Sequence, residues 1–407
     1  MEILTMDINA FLEHHKLSPH SIDGPGCLEA LLSQMEAGLA GRGKIPMIPS
    51  YLSPDTRPTP GVPCCVMDAG GTNLRVAAAV FDDAGNCTLS GLRKTAMPGT
   101  REELSFQDFY GTLAQLARDT GYPEKIGLCF SYNVLLERNL DGILHSWCKE
   151  VKVPEAPGKP VGASLARATG PVCKSVRVMN DSTAALLGAC CQDRDISLGL
   201  ILGTGINICY PEPCRNIPKV PGDLKAETMI ISTEIGEFDG FPKSTFDQLV
   251  IAASGEPDMA HAEKQCAGGY LGDLIGLAWQ AAARDGLLPP PFLAEVTLPV
   301  ISDYLAGIPT SLPENEGARA IAATMIHRAA KIAAVLTAGP ILRACGPGQS
   351  CKMVIEGSQF EKLTGFGNHF RRELEDLLSP YGIRISIAKV ENSCLVGAAV
   401  AAFAEPM

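Results

Sequence analysis

Long uncharged apolar runs are missing from this sequence of 407 residues. A membrane-spanning helix needs about 18 consecutive apolar residues, whereas the most apolar helical stretch, residues 320–336, is interrupted by His327, Arg328 and Lys331. A basic excess is missing as well, because 34 basic residues face 45 acidic ones and the net charge is −11. We therefore expect neither a membrane span nor a surface that coats nucleic acid, although backbone amides could still hold a nucleotide.

Signatures of disulfides and of resident metals are also scarce. The 15 cysteines are odd in number, include the adjacent pairs Cys64-Cys65 and Cys190-Cys191, and form no CxxC motif. The seven histidines show no zinc-like spacing, and the charges within the first 17 residues disfavour a secretory segment. These features predict reduced, mostly buried thiols in a cytoplasmic protein, and no metal cage.

The chain does have enough apolar material for a large core. Hydrophobic residues make up 46% and charged residues 19%, which excludes a wholly disordered protein. The length suggests two or three domains. The 41 glycines and 30 prolines are spread along the chain, which indicates many turns rather than a collagen-like or low-complexity tract.

Apolar periodicity and turn residues predict both strands and helices. The first 40 residues are predicted to form two helices separated by Pro19 and Gly24-Pro25-Gly26, followed by a linker at 44–63, which holds six prolines. Strands are predicted at 62–67, 74–81, 87–97, 126–130, 176–179, 197–202, 206–210, 353–355 and 383–388. Further helices are predicted at about 101–119, at 183–191, within 245–345, at 366–378 and at 393–403.

Two of the predicted strand pairs are joined by glycine turns. The segment Asp68-Ala-Gly-Gly-Thr-Asn-Leu-Arg75 joins one pair, and Gly203-Thr204-Gly205 joins the other. The repeated order of strand, glycine turn and strand hints at an internal duplication. Glycine lets a turn approach a ligand closely with its amides pointing outward, so the two turns could close on a triphosphate from opposite sides. The alternative is that both are ordinary hairpin turns.

The residues around the first turn suit phosphate and magnesium chemistry. Thr72 adds a hydroxyl donor to the glycine amides, and Arg75 could reach a phosphate. Asp68, at a strand end, could hold Mg²⁺ through a water molecule. The turn leads into a strand rather than a helix, and neither a GxGxxG fingerprint nor a P-loop is present, which disfavours a dinucleotide site.

Candidate residues for acid–base chemistry and sugar binding follow further along the chain. Asp181 follows a predicted strand and precedes a helix, where a carboxylate could act as a general base toward a hydroxyl. The alternative is that Asn180 and Asp181 only cap that helix. Glu234 and Glu263 could accept hydrogen bonds from sugar hydroxyls, although a single Glu is most simply part of a solvated face.

Taken together, these segments resemble the hexokinase family of the actin-like and sugar-kinase ATPase superfamily. The resemblance extends from about Ile45 to the C-terminus and marks the chain as a short, divergent member, of the kind expected in a bacterium or a parasite. The segments that carry it occur in family order and are Asp68–Val76, Phe130–Ser131 with Leu140–Lys149, Val178–Asp181, Gly199–Tyr210, Ser232–Gly236, Glu263–Gly272 and Ile355–Ser358.

The resemblance implies phosphorylation of a glucose-like hexose at its terminal 6-hydroxyl, with ATP as donor and Mg²⁺ as cofactor. Asp181 would be the general base in this reaction. The residues implied to hold the sugar are Ser131, Lys149, Asn180, Asp181, Asn207, Glu234 and Glu263. The residues implied to hold the nucleotide are Asp68, Gly70, Gly71, Thr72, Asn73, Arg75, Gly203, Thr204, Gly357 and Ser358, with Asp68 also serving the metal.

The resemblance also implies an α/β fold with two RNase H-like lobes, each a mixed β-sheet flanked by helices, and a cleft between them. The small lobe would hold residues 60–179 and 392–407, and the large lobe residues 1–59 and 180–391. Hexose and ATP are the expected partners, without nucleic acid or membrane. Two alternatives remain open, a sugar sensor that binds without phosphorylating and an actin-like polymerising ATPase.

The sequence departs from the family pattern at several positions. The usual Phe-Ser-Phe-Pro, with a Gln three residues on, is here Phe130-Ser-Tyr-Asn133 followed by Leu136. Other departures are Cys148 and Glu150 beside Lys149, Ile235 after Glu234, Glu356 in place of Asp, and the segment Asn392–Gly397 in place of Ser-Gly-Lys-Gly. The phosphate turns and the candidate base are kept while the sugar pocket has changed, which leaves the preferred hexose open.

Overall fold

A computed structural model describes residues 7–147, 151–222, 224, 226–289 and 296–407. The strands are β1 Ile48–Pro49, β2 Cys64–Ala69, β3 Asn73–Phe81, β4 Cys87–Ala96, β5 Lys125–Phe130, β6 Asn133–Leu136, β7 Gly142–Ser146, β8 Ser175–Met179, β9 Ile196–Leu202, β10 Ile206–Pro213, β11 Thr228–Ser232, β12 Ser350–Glu356 and β13 Arg384–Ala388. The helices are α1 Ile8–His14, α2 Gly24–Leu39, α3 Phe106–Asp119, α4 Val161–Thr169, α5 Asp181–Gln192, α6 Thr245–Ala253, α7 His261–Cys266, α8 Gly268–Arg284, α9 Leu298–Leu305, α10 Glu316–Ala344, α11 Ser358–Lys362, α12 Phe366–Leu378 and α13 Ser393–Ala401.

The two large sheets share one topology. One sheet has the order β4-β3-β2-β5-β8, and the other has the order β11-β10-β9-β12-β13 with β1 added at its edge. In the first sheet β2 pairs antiparallel with β3 and parallel with β5. In the second sheet β9 likewise pairs antiparallel with β10 and parallel with β12. The glycine turns join β2 to β3 and β9 to β10, at equivalent places. The internal duplication and the two mixed sheets predicted from the sequence are therefore confirmed.

Helices α5 and α13 pack against each other between the two sheets. Their contact is made of small residues, since a Cβ added to Gly397 would lie 1.8 Å from the carbonyl oxygen of Ala184. A Cβ added to Gly188 would likewise lie 2.3 Å from the carbonyl oxygen of Ser393. Such close approach brings the inner faces of both sheets onto one shared core, which includes Cys129 on β5 and Cys209 on β10.

The long helix α10 is a core element of the fold. It is long and apolar enough to cross a membrane by length and composition alone, but 72% of its most apolar window is buried within the structure. Its Arg328 forms a buried ion pair of 2.7 Å with Asp247 of α6, and the backbone of Ala318 accepts a hydrogen bond from the indole of Trp279. A buried charge needs such a partner, and this one fixes α10 against α6.

The structure corrects the sequence predictions at several element ends. Gly24-Pro25-Gly26 does not separate two helices but opens α2, since Asp23 caps the helix and proline is tolerated in a first turn. Helix α3 begins at Phe106 rather than near 101 because Ser105 accepts a hydrogen bond from the amide of Asp108. The β6–β7 hairpin, β11 and α4 were not predicted, because these segments are short and carry weak periodicity. The lobe boundaries at 60, 179 and 391 stay predictions.

Candidate active site

The first glycine turn projects from the paired strands β2 and β3. The ladder ends at the pair Ala69 and Leu74, and the amide of Gly70 donates to the carbonyl of Asn73 at 3.0 Å, which closes the turn. Thr72 and Asn73 are exposed, and the side-chain amide of Asn73 donates to the hydroxyl of Thr72 at 2.9 Å. The turn thus presents backbone and hydroxyl groups to its surroundings without any positive charge.

Asp68 and Arg75 face each other at the base of this turn. They are cross-strand partners, and the guanidinium donates twice to Oδ2 of Asp68, at 2.8 Å from Nε and 2.5 Å from Nη2. Nη1 of Arg75 also lies 3.5 Å from the side-chain oxygen of Asn392. The sequence prediction assigned Arg75 to a phosphate and Asp68 to a metal, whereas here the two side chains bind each other.

The second glycine turn is held by the start of helix α8. The amides of Gly268 and Gly269, in the first turn of α8, donate to the carbonyls of Gly203 and Thr204 at 2.8 and 2.9 Å. A Cβ at Gly268 would lie 2.7 Å from the carbonyl oxygen of Gly203, so only glycine fits there. The N-terminal end of α8, which carries partial positive charge, therefore supports this turn directly.

Gly357 brings the predicted adenosine motif against the same turn. Its φ is +126°, a conformation that only glycine adopts readily, and a Cβ there would lie 2.1 Å from the carbonyl oxygen of Leu202. Its Cα lies 3.7 Å from the position of a Cβ on Gly203. The structure thus brings together the predicted nucleotide residues Gly203, Thr204, Gly357 and Ser358.

The two turns are connected through the start of α13. Ser393 donates from its hydroxyl to the carboxylate of Glu356, the residue before Gly357. The preceding residue, Asn392, contacts Arg75 beneath the first turn. A cavity of about 490 Å³ lies beside this connection, lined by residues at the carboxyl ends of β12 and β13, such as Lys389, and by Phe360 of α11. The first turn and the second are therefore parts of one continuous structure.

Asn207 is the centre of the candidate sugar site. Its side-chain nitrogen donates to Oε1 of Glu234 at 2.5 Å and to Oγ of Ser232 at 3.0 Å, and lies 3.5 Å from Oδ1 of Asn180. Its side-chain oxygen accepts from the amides of Ile208 and Glu234 at 2.8 and 3.0 Å. Three residues that the sequence assigned to sugar binding, far apart along the chain, thus meet at the start of β10.

Asp181 lies beside this cluster, in the first turn of α5. Asn180 is the N-cap of the helix and accepts from the amide of Ser182 at 2.9 Å. Oδ1 of Asp181 accepts from the same amide at 2.8 Å, and the residue is partly exposed. Asn180 therefore caps the helix, as the alternative has it, and Asp181 lies at the helix N-terminus with a bond to the same amide. Its role as a base stays a prediction.

Glu234 has a strained backbone conformation, and its surroundings disfavour the charged form of its side chain. Its φ of 53° and ψ of 47° are left-handed, which is uncommon for a residue other than glycine. Burial, together with the nearby carboxylates of Asp181 and Glu263, raises the pKa of Glu234 to about 7, although Ser232 and Asn207 stabilise its charged form. Strain and a displaced pKa of this kind are typical of functional sites.

Glu263 links the acidic cluster to the second glycine turn. Its Oε2 accepts from the amide of Ile206 at 3.0 Å, directly after the turn, and a Cβ at Gly205 would lie 2.5 Å from that oxygen. Gly236 packs against the Cβ of the same side chain. Asp181 and Glu263 both lie close enough to Glu234 to raise its pKa, and Glu263 lies directly beside the turn.

Of the two remaining predicted sugar residues, one follows β5 and the other lies outside the described residues. Ser131 follows β5, and its amide donates to the carbonyl of Ala69 at 3.2 Å, next to the first turn. Lys149, with the neighbouring departures Cys148 and Glu150, lies outside the described residues. Of the altered positions, Leu136 and Ile235 are buried in hydrophobic cores, whereas Asn133 is exposed and its side-chain amide donates to the hydroxyl of Ser146.

The donor set fits a magnesium ion that arrives with a nucleotide rather than a resident metal. Among the residues that the structure describes, no group of three His, Cys, Asp or Glu side chains could hold a metal ion. Asp68 supplies one buried carboxylate at the first turn. Mg²⁺ commonly keeps several waters and uses one or two carboxylates plus substrate phosphates, which this arrangement can provide.

Some residues at the site gave too little signal in the sequence to be assigned. Ser232 contacts both Asn207 and Glu234, yet a lone serine at a strand end carries no distinctive pattern. Gly268 and Gly269 lie in a segment that the resemblance covers, but their role in holding the second turn depends on tertiary packing. Tyr132 was noted only as a departure, although its hydroxyl reaches the first turn.

Comparison with known proteins gives a consistent result. Residues 8–191 and 197–404 match two family models, each described as hexokinase. Hexokinase-2 of Candida albicans is 27% identical over 432 residues, covering 91% of this chain and 86% of the relative. Hexokinase-7 of Oryza sativa is 28% identical over 425 residues, covering 90% of each chain.

Solved structures show the same fold. The hexokinase from Schistosoma mansoni complexed with glucose superposes with a TM-score of 0.82 at 22% identity, covering 97% of this chain and 98% of the other. A ROK family glucokinase from Streptomyces griseus in complex with glucose and AMPPNP gives a TM-score of 0.51 at 16% identity, covering 83% of this chain and 98% of the other. The two-lobed α/β fold predicted from the sequence is confirmed, and the chain belongs to the hexokinase family.

Proposed function

We propose that this chain transfers the γ-phosphoryl group of ATP to the terminal hydroxyl of a glucose-like hexose. The observation that carries the proposal is the hydrogen bond from the amide of Ile206 to Glu263. Ile206 follows the second glycine turn directly, and the neighbouring Asn207 binds Glu234. Ile206 and Asn207 therefore connect a turn that is suited to phosphates with a polar cluster that is suited to sugar hydroxyls.

In this proposal Asp181 orients the terminal hydroxyl of the sugar and accepts its proton during the transfer. The bond between the hydroxyl oxygen and the γ-phosphorus forms as the bond from that phosphorus to the bridging oxygen breaks, and ADP leaves. Asp181 suits this role because it lies next to Asn180 of the polar cluster and is partly exposed. The N-terminus of α5 stabilises its negative charge.

The phosphates would lie between the two glycine turns. Gly70, Gly71, Thr72 and Asn73 would offer backbone and side-chain donors from one side, and Gly203 and Thr204 from the other. Such donors stabilise charge that develops on the transferring group without reorganising. Bound Mg²⁺ would neutralise charge on the phosphates, with Asp68 holding it through water. Arg75 would support this side by orienting Asp68, and the adenosine would lie beside Gly357 and Ser358.

The sugar would bind among the polar groups around Asn207. Asn180, Asn207, Glu234 and Glu263 offer acceptors and donors around Asn207, and Ser131, which follows β5, offers a hydroxyl. Lys149 is proposed for this set on the resemblance alone. Closure of the two lobes over the sugar would exclude water, which competes as a nucleophile.

The direct test is release of ADP, measured with a coupled assay across a panel of hexoses. We expect turnover with at least one hexose, and a fall of about 10²–10⁴ in kcat for Asp181→Ala, the range contributed by a general base. Asp273→Asn, an exposed aspartate on α8, is the matched control and is expected to leave kcat unchanged. Turnover no higher than the Asp181→Ala background with every sugar would reject the proposal.

The alternative reading, a sugar sensor of the same fold, has a different outcome in the same experiment. A sensor would bind a hexose with a measurable change in domain arrangement, for example by small-angle scattering, yet release no ADP. The retained Asp181 argues against it, because binding alone does not need a base at that position.

A cytoplasmic location stays a prediction. The 14 cysteines that the structure describes are all free thiols.

A further inference from the structure

The first glycine turn is attached to the segment 130–132 by two hydrogen bonds. The amide of Ser131 donates to the carbonyl of Ala69 at 3.2 Å. The hydroxyl of Tyr132 donates to the carbonyl of Gly70 at 2.7 Å. The second bond comes from a side chain, so it depends on the identity of residue 132. At this position the family pattern has phenylalanine, which cannot make it.

The ring of Tyr132 is fixed in place by its surroundings. The residue is 5% exposed and belongs to the hydrophobic core beside the sheet β4-β3-β2-β5-β8. Its ring centroid lies 4.7 Å from that of Phe130 and 5.0 Å from that of Trp147, the latter in an edge-to-face arrangement. Because a buried aromatic ring in such contacts has few alternative positions, its hydroxyl is a fixed donor.

A fixed donor on the Gly70 carbonyl decides where the next amide points. In a trans peptide unit the C=O of one residue and the N–H of the next point in opposite directions. The Gly70 carbonyl points to the buried Tyr132, and the Gly71 N–H therefore points in the opposite direction, away from that ring. Two adjacent glycines have little intrinsic preference for one orientation of this peptide, so the bond from Tyr132 adds a constraint that the glycines themselves do not provide.

We propose that Tyr132 is a positioning residue for the phosphoryl donor: its hydroxyl holds the Gly70–Gly71 peptide in the orientation that offers the Gly71 amide to a nucleotide phosphate. The inference rests on the proposed function, because it takes the first turn to be a phosphate site. It assigns Tyr132 to the nucleotide side of the reaction, although the residue follows the sugar residue Ser131 directly and departs from the family pattern in the sugar-binding stretch.

The test is Tyr132→Phe, which removes only the hydroxyl and restores the residue typical of the family. We expect KM for ATP and the Kd for ADP to rise about threefold to tenfold, the loss expected for one neutral hydrogen bond. KM for the hexose should stay unchanged. Tyr110→Phe is the matched control, because Tyr110 is buried in the same hydrophobic core on α3 and its hydroxyl lies beside Ser164 of α4.

Each outcome of this experiment is decisive. A rise in hexose KM with unchanged ATP KM would place Tyr132 in the sugar pocket and overturn the proposal. Unchanged constants, or equal losses in Tyr132→Phe and Tyr110→Phe, would also overturn it, because the hydroxyl would then act only through general stability. The Kd for ADP is measured without turnover by calorimetry, so the result for Tyr132 remains readable even if no hexose is phosphorylated and the proposed function fails.

Discussion

The buried hydroxyl of Ser393, at the start of α13, donates to the carboxylate of Glu356, at the end of β12. This bond joins the helix between the two sheets to the strand end that carries Gly357. Both residues lie where the sequence departs from the family pattern, at the Glu that replaces Asp and in the altered tail segment. The two altered residues therefore bind each other, and their hydrogen bond is part of the connection between the two glycine turns.

Replacement of Ser393 by Ala tests that connection. We expect the free energy of unfolding to fall by about 1–3 kcal/mol, the cost of removing a hydrogen bond to a charged group in a buried place. KM for ATP should rise as well, because Gly357 follows Glu356 directly. Denaturant titration gives the stability, and Ser379→Ala is the control, since Ser379 is exposed and should change it by less than about 0.5 kcal/mol. Equal effects of the two substitutions would contradict this account.

Replacement of Gly357 by Ala tests the close approach of the adenosine motif to the second turn. The new Cβ would lie 2.1 Å from the carbonyl oxygen of Leu202, and the φ of +126° would add strain. We expect a loss of more than about 2 kcal/mol in stability and a higher KM for ATP. Gly348 is a matched control, because its φ is +76° but nothing lies within 4 Å of an added Cβ.

For Gly348→Ala we expect about 1 kcal/mol from backbone conformation alone and no change in KM. If Gly357→Ala were no more harmful than Gly348→Ala, the contact between the motif and the turn would not be tight. The comparison separates the cost of an unfavourable φ from the cost of a steric clash.

The raised pKa of Glu234 predicts a pH-dependent stability for the protein without sugar. Between its ordinary pKa of 4.5 and the value of about 7 in the folded chain, the unfolded state has already lost a proton that the folded state still binds. The contribution of Glu234 to the free energy of unfolding therefore falls as pH rises from about 4.5 to 7. Glu234→Gln should relieve this cost and stabilise the protein at pH 8 by about 1–2 kcal/mol, less than the full shift implies because the side chain is partly exposed.

The measurement is the melting temperature of both proteins at pH 5, 6, 7 and 8. The difference between variant and wild type should grow toward high pH, and hexose affinity should fall in the variant because a charged acceptor is lost. A constant or shrinking difference would show that Glu234 has an ordinary pKa. Glu361→Gln, at an exposed position on α11, provides the control.

Removal of metal should affect turnover but not the fold. Because the described residues contain no group suited to a resident metal, a chelator should leave the melting temperature of the nucleotide-free protein unchanged. Activity with ATP should be lost and should return with Mg²⁺. Asp68→Asn should need at least about tenfold more Mg²⁺ for half-maximal rate, measured by Mg²⁺ titration at fixed ATP. Stabilisation of the free chain by Mg²⁺ alone would contradict this picture.

The sequence predicted the parts of the fold that depend on local pattern. Strands around the glycine turns, the helix after Asp181 and the small-residue helix α13 were recognisable because turn residues and apolar runs lie next to each other in the chain. The duplication followed from the same local signal, repeated. The candidate site residues were found by their place at strand ends and by resemblance, and the structure brings most of them together.

What could not be predicted depends on contacts between distant segments. No local pattern shows that Arg75 binds Asp68, or that the amides of Gly268 and Gly269 hold the second turn. Tyr132 was interpreted as a change in the sugar pocket, because its neighbour Ser131 belongs to the sugar-binding stretch. Only the fold places its hydroxyl on the carbonyl of Gly70.

The most direct measurement is a crystal structure of the protein with a hexose and a non-hydrolysable ATP analogue. We expect the phosphates to contact both the Gly70–Thr72 turn and the Gly203–Thr204 turn, with the terminal hydroxyl of the sugar within hydrogen-bond distance of Asp181. A nucleotide bound away from either turn, or a sugar whose terminal hydroxyl faces away from Asp181, would contradict it.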